Sequence, residues 1–174
     1  GKIEIINPNS SPVYFILIML FIPLFREAHF YFVHRLLHWP PFYKIAHNVH
    51  HRNTNPGPWS SLAMHPIEHI LYFSGVLIHW IILSHPLHAM YHIFHAGLGS
   101  ANGHIGFKKM LINSKKGMDL HNYNHYLHHK YFEVNYGNLT LPFDHWFGTY
   151  HDGSKEHHEK MMLRLNKLKV KNKI

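Results

Sequence analysis

From Val13 the chain runs with hardly a polar residue through VYFILIMLFIPLF and continues as REAHFYFVHRLLH until Trp39-Pro40-Pro41 stops it. Ser10 and Ser11 ahead of Pro12 form a helix start, with Ser as N-cap and Pro in the first turn. At 1.5 Å per residue, a helix from Val13 to His34 is about 32 Å long, which matches a hydrocarbon core of about 30 Å. The pattern therefore predicts a transmembrane helix over about 12–38, with Pro23 as a point for a kink and His34 and His38 at the far interface. Phe42 to His51 reads as a short amphipathic helix lying in that interface. Arg52-Asn-Thr-Asn-Pro-Gly-Pro-Trp59 then reads as a loop by its turn residues. A second apolar pattern runs from Pro66 to Leu83, Ser84-His85-Pro86 breaks it, and a third runs from Leu87 towards Gly103. These two legs are short for separate spans, so residues 66–104 are expected to form either two short spans or, equally, a hairpin that dips into the membrane, and in both cases the chain returns.

The polar positions inside these segments are mostly histidine. His47-Asn-Val-His50-His51 and His125-Tyr-Leu-His128-His129 repeat one pattern, HxxHH, and His34-Arg-Leu-Leu-His38 precedes the first. On a helix, positions i, i+3 and i+4 share a face, so each HxxHH presents three imidazoles to one side and HxxxH presents two. Eight such rings converging on one place predict a metal site, and one for two metals. A tag or a low-complexity tract would be contiguous, whereas these histidines recur at helical spacing among Phe, Tyr, Leu and Trp. If the hairpin returns, His104 rejoins the side of His34, His38 and His47 and becomes the best further ligand. His79, His85 and His88 then lie deep or on the opposite side, as hydrogen-bonded core or interfacial residues. His92 and His95 sit about 13 to 18 Å along the helix from His104, where they can line an access channel.

With 174 residues the chain suffices for one domain with a sizeable core. It contains no cysteine, which excludes disulfides, iron–sulfur clusters and Cys-type zinc fingers, so any metal must be held by His, Asp or Glu. The formal charge of +8 gathers in Lys108-Lys109, Lys115-Lys116 and a basic tail over 154–174. Such a surface beside apolar helices suits anionic lipid headgroups, and no nucleic-acid motif accompanies it, so no nucleic-acid partner is expected. Arg35, Lys44, Arg52, Lys108 and Lys109 all fall on the metal side, which the positive-inside rule puts in the cytosol, with the amino terminus across the membrane. The chain opens on Gly with no signal-peptide pattern, so segments upstream are expected to be missing.

HRLLHWPPFYKIAHNVHH, NPGPWSSLAMHPIEH, NGHIGF, HYLHHKYFEVNYGN and PFDHWFGTYHDG follow one another between Glu27 and Gly153. Together they resemble the fatty acid hydroxylase / sterol desaturase superfamily of membrane di-iron proteins. The resemblance implies an all-α integral membrane protein with a cytosolic His-rich dimetal cap over 39–65 and 105–153. Its activity would be to hydroxylate or desaturate a lipid C–H bond with O₂. Carried over residue by residue, the matching ligands are His34, His38, His47, His50, His51, His104, His125, His128 and His129, with His65 of the HPxE phrase as a tenth. The first pair is spaced HxxxH, as in sterol desaturases, rather than the HxxxxH of fatty acid 2-hydroxylases, so a sterol-like lipid is expected. The alternatives within the superfamily are fatty acid and carotenoid hydroxylation.

The residues themselves are compatible with this chemistry. Neutral imidazole is a good iron ligand, and a shell without Cys suits a centre that activates O₂. Zinc would occupy the same rings without redox chemistry, so a non-catalytic metal-binding membrane protein is the rival class. Glu27, Glu68 and Glu133 lack di-iron carboxylate spacing and are expected to hold histidine N–H groups instead. No dinucleotide, flavin or haem motif is present, so electrons are expected from a separate cytochrome b5- or ferredoxin-like protein. Phe30, Phe32, Trp59 and Trp80 are candidates to line the substrate cavity. The membrane would be the endoplasmic reticulum in a eukaryote or the cytoplasmic membrane in a bacterium.

Overall fold

The apolar run folds as one helix, α1 (Pro12–Leu37), which passes through Pro23 unbroken. The computed structural model describes residues 5–113, 116–120, 122–138 and 140–171; Lys115 and the last three residues of the basic tail lie outside them. A nearly continuous helical stretch follows α1: α2 (Pro40–Phe42), a π-helical turn over Tyr43–His47 and α3 (Asn48–His51). After the predicted loop, α4 (Pro66–Phe73) tightens into a 3₁₀ segment over Ser74–Trp80, and α5 (Pro86–Gly103) returns. The hairpin is therefore present with one leg partly 3₁₀. Gly75 sits at that change: a Cβ there would meet His29 at 3.2 Å and His92 at 3.3 Å, so the close approach of the two legs to α1 needs glycine.

One small departure from the all-helical expectation is a hairpin of β1 (Lys109–Leu111) and β2 (Gly117–Asp119), antiparallel, with Met110 opposite Met118. It carries no core. The remaining helices are α6 (Asn122–Tyr131), α7 (Phe143–Trp146) and α8 (Lys155–Lys171).

Polarity is arranged from the inside outwards. On α1 the buried stripe Ile18, Ile22, Arg26 and on α5 the buried stripe His88, His92, Ala96, Ser100 each advance by four residues and face each other. The outward faces carry Ile16, Leu17, Leu20 and Leu24 on α1 and Met90, Ile93, Phe94 and Leu98 on α5, all exposed. A water-facing surface would not carry so continuous an apolar belt. Among the described residues α1 is the one helix long and apolar enough to cross a membrane.

His79 and His88 are hydrogen-bonded as the hairpin reading expects, whereas His92, expected to line an access channel, is buried against His79. His79 Nδ1 meets the Ser84 hydroxyl at 2.8 Å, its Nε2 lies 3.2 Å from His92 Nδ1, and His88 Nε2 donates to the Phe15 carbonyl at 3.0 Å. His85 caps α5, accepting the Leu87 N–H at 3.2 Å.

Beyond α6 the chain turns sharply, with Phe132 and Asn135 in the left-handed region at φ 64° and 52°. The turn folds residues 133–138 back over the centre of the molecule. Asp144 holds this loop, accepting the N–H groups of Tyr136 at 2.9 Å and Gly137 at 2.8 Å and the Thr149 hydroxyl at 2.5 Å. Glu27 holds its end, accepting the Asn138 backbone N–H at 2.7 Å and side-chain amide at 3.1 Å. Asn135 closes it with bonds to the Asn124 and His151 carbonyls and from the His151 N–H. Asp144→Ala strips the loop of a buried carboxylate with three donors, and is expected to destabilise the protein by about 3 kcal/mol or more. Thermal melting in detergent checks this, and an unchanged transition would refute the clamp.

Candidate metal centre

Nine histidines gather in two adjacent groups. His34, His38, His47, His51 and His128 form one, and His50, His104, His125 and His129 the other, with the ligand atoms of each group within 4.8 Å of one another. All are buried except His38, which is half-buried. The allotment follows the helical repeat. In each HxxHH the first and last histidines share a group and the middle one reaches the other: His47 and His51 against His50, and His125 and His129 against His128. His34 and His38 from the end of α1 complete the first group. His104, at the C-cap of α5, completes the second.

The nitrogens that converge are all Nε2. In the first group His38 lies 3.1 Å from His47, His51 and His128, while His51 lies 3.1 Å from His47 and His128. In the second, His104 lies 3.2 Å from His50, 3.3 Å from His125 and 3.2 Å from His129, and His125 and His129 are 3.2 Å apart.

The other ring nitrogens show what these contacts are. His34 Nδ1 meets the Tyr136 carbonyl at 2.7 Å, His128 the Val134 carbonyl at 2.6 Å, His129 the Asn53 carbonyl at 2.9 Å, His104 the Ser100 carbonyl at 2.8 Å and His50 the Ala63 carbonyl at 3.4 Å. His47 Nδ1 meets the buried Glu68 carboxylate at 2.8 Å. A carbonyl only accepts, so in these rings Nδ1 carries the proton and Nε2 is a bare lone pair. Lone pairs pointed at one another repel, and a cation between them removes the repulsion. Two nitrogens about 2.1 Å from a shared ion stand about 3.0 Å apart at a right angle and about 3.4 Å apart at the tetrahedral angle. The observed spacings fall in that interval, so the residues fit a metal ion in each group.

Electrostatics points the same way. Burial holds His47 down to about 3; burial, with His104 and His47 nearby, holds His50 down to about 4; and burial with neighbouring imidazoles lowers His129 to about 2 and His51, His125 and His128 well below the usual range. The rings are neutral and their lone pairs available.

Several expectations change. His65 is not brought to either group; it stands at the N-cap of α4, where its Nδ1 accepts the Ile67 N–H at 3.2 Å. A proline at the next position starts the helix there and commits the preceding side chain to capping. Of the three glutamates only Glu68 holds a histidine: Glu27 holds Asn138, and Glu133 accepts the Tyr136 hydroxyl at 2.9 Å. Ser100 gives its hydroxyl to the Ser61 carbonyl at 3.1 Å and its own carbonyl to His104. Trp59 and Trp80 are 99% and 82% exposed and Phe32 is exposed as well, so of the four candidate aromatics only Phe30 lines a cavity. That cavity, about 20 Å³, is walled by Phe30, Val33, Leu37 and Met64 and reaches both groups through His34, His47, His50, His104 and His125. Asp144 and Asn135, which clamp the loop behind His34 and His128, are functional residues that the histidine spacing does not point to. Their signal was the NYG and D-x-x-FGT phrases, whose carbonyl-presenting role needs the fold to be seen.

Two outcomes are expected. Metal analysis of purified protein should find His128→Ala depleted and His65→Ala still holding two ions per chain; loss of an ion from His65→Ala would return that residue to the ligand set. Without metal, the native rings stay neutral while the unfolded chain takes up protons below about pH 6.5, so unfolding binds protons and stability falls as pH drops from about 6.5 towards 4. The melting temperature of the metal-free protein should be flat above pH 7 and fall steadily below it. A flat profile down to pH 5 would contradict this.

Comparison with known proteins agrees with the site. A family model described as fatty acid hydroxylase matches residues 19–149. The Delta(7)-sterol 5(6)-desaturase of Candida albicans is 32% identical over 126 residues, 70% of this chain and 31% of the relative. That of Eremothecium gossypii is 32% identical over 140 residues, covering 79% and 38%, and that of Saccharomyces cerevisiae is 30% identical over 133 residues, covering 72% and 34%. The chain thus spans only about a third of the length of the curated relatives it matches. No solved structure matches it. The matched segment holds all nine clustered histidines and the loop that orients them, and the chain belongs to the fatty acid hydroxylase family.

Proposed function

We propose that this chain is the single-domain metal-binding core of an integral membrane oxidoreductase that desaturates or hydroxylates a sterol-like lipid. The observation that carries the reading is the pair of imidazole groups opening onto one apolar cavity. Two bound irons would supply the redox chemistry, in which O₂ is reduced and a lipid C–H bond broken. The protein's residues hold and orient. Carbonyls 134 and 136, fixed by Asp144, and the Glu68 carboxylate set the tautomers of His128, His34 and His47. Phe30, Val33, Leu37 and Met64 form an apolar wall that excludes water beside the histidines.

The HxxxH spacing and the names of the sterol desaturase relatives favour a sterol-like substrate over a linear acyl chain. The exposed apolar faces of α1, α4 and α5 support a multi-pass or dipping arrangement, and Arg35, Lys44 and Arg52 beside the histidines support a cytosolic metal side. The same cations suit an acidic cytochrome b5- or ferredoxin-like electron donor.

Lipid profiling of cells with and without the intact protein tests the reading. A single sterol-like precursor should accumulate when His128→Ala replaces the wild type, while membrane insertion is unchanged. Purified protein that carries zinc and converts no lipid with O₂ and an electron donor would favour the non-catalytic metal-binding class.

A further inference from the structure

Arg26 lies about 21 Å along α1 from its start. It is 6% exposed. One of its N–H groups donates to the Tyr72 hydroxyl, which in turn donates to the Ala96 carbonyl at 2.8 Å. Its Cζ stands 5.1 Å from the Phe30 ring centre and 5.5 Å from that of Tyr72. Among the described residues no carboxylate pairs with it. The adjacent Glu27 turns both oxygens to Asn138 instead. A guanidinium has five N–H donors, and among the described residues one of them donates to a protein partner. The adjacent Glu27 carboxylate interacts with Arg26 through space without a direct ion pair; a buried cation with no direct counter-ion costs several kcal/mol, and an ionisable residue within a spanning helix marks a functional position.

The open face of the guanidinium looks onto space. Gly99 lies opposite, where a Cβ would stand 3.5 Å from Nη1, so glycine leaves that face uncovered. Arg26 and Gly99 line both the small cavity over the histidines and a wider cleft of about 410 Å³ that opens beside it. Phe30 separates the guanidinium from the metal groups: its ring centre is 5.0 Å from that of His34 and 6.4 Å from that of His125.

We propose that Arg26 recognises the polar end of the lipid, its unused N–H groups taking an acceptor oxygen and so fixing which carbon meets the histidines. The proposal rests on the lipid-oxidising reading above and sharpens it. One aromatic ring separates the bound oxygen from the imidazoles, so the reacting carbon lies a few bonds from that oxygen. A fused-ring alcohol has that spacing. The distal carbon of a long acyl chain does not. The acceptor could be a hydroxyl or a carboxylate, and the test separates them.

Binding of radiolabelled cholestanol, cholestane and stearate to the purified, metal-loaded full chain in nanodiscs is measured for wild type, Arg26→Met, Arg26→Lys and Gly99→Val. Wild type should prefer cholestanol to cholestane, which differs only in lacking the hydroxyl, by about tenfold or more. Arg26→Met should abolish that preference while cholestane affinity and metal content stay unchanged, and Arg26→Lys should restore part of it. Gly99→Val covers the guanidinium without removing it and should lower cholestanol affinity in the same way. If stearate, not cholestanol, loses affinity in Arg26→Met, the recognition role stands for a carboxylate and the sterol-like reading falls. An undiminished preference in Arg26→Met, or an equal loss for cholestanol and cholestane, would overturn the proposal. A wild-type chain that binds none of the three lipids would overturn the lipid reading itself.

Discussion

Eight imidazole nitrogens face one another across 3.1 to 3.3 Å in this fold, with His34 beside them, and in six of the nine rings the opposite nitrogen meets a protein acceptor. A lone pair buried against lone pairs is unfavourable, and a cation among them would remove that cost, so the arrangement fits metal. Much of the architecture follows from that constraint. Most acceptors for the outward-turned Nδ1–H groups come from outside the helix that carries the ring, from the loop after α6, from the loop after α3 and from Glu68 on α4, while His104 is served by its own helix through the Ser100 carbonyl. Each irregular segment that reaches the centre brings a carbonyl or a carboxylate to a particular ring. This fixes ring orientation as well as tautomer.

The loop of residues 133–138 shows how far such support extends. Its two carbonyls orient His34 and His128, one from each end of the histidine sequence, and its own N–H groups rest on Asp144 and Glu27. Glu27 stands two turns before His34 on α1, so one carboxylate ties the apolar helix to the loop that orients that helix's own ligand. The left-handed residues Phe132 and Asn135 are the local cost of turning the chain back over the site.

Around this polar centre the apolar side chains face outwards, so the cavity over the histidines lies inside the helices that carry the exposed belt. Arg26 is a cation placed one aromatic ring away from the imidazoles. In an otherwise apolar cavity a single cation of fixed position imposes orientation on any ligand that carries an oxygen.

Periodicity alone determined the long apolar helix, the returning hairpin and the eight histidines at helical spacing, because helix pitch converts sequence offsets directly into faces. The return of the hairpin also fixed His104. The division of the histidines was decided only by tertiary structure. Consecutive residues such as His50 and His51 point about 100° apart round a helix, so a motif that looks like one face can serve two ions, and the neighbouring helices decide which ring serves which. Capping competed with ligation at His65, and only the start of α4 at Pro66 settled it in favour of the cap. Trp59 and Trp80 likewise carry no signal of side, since an aromatic ring is equally at home against lipid or in a cavity. The acceptors behind the rings are mostly backbone carbonyls, identical in every residue, so no side-chain pattern could have announced them.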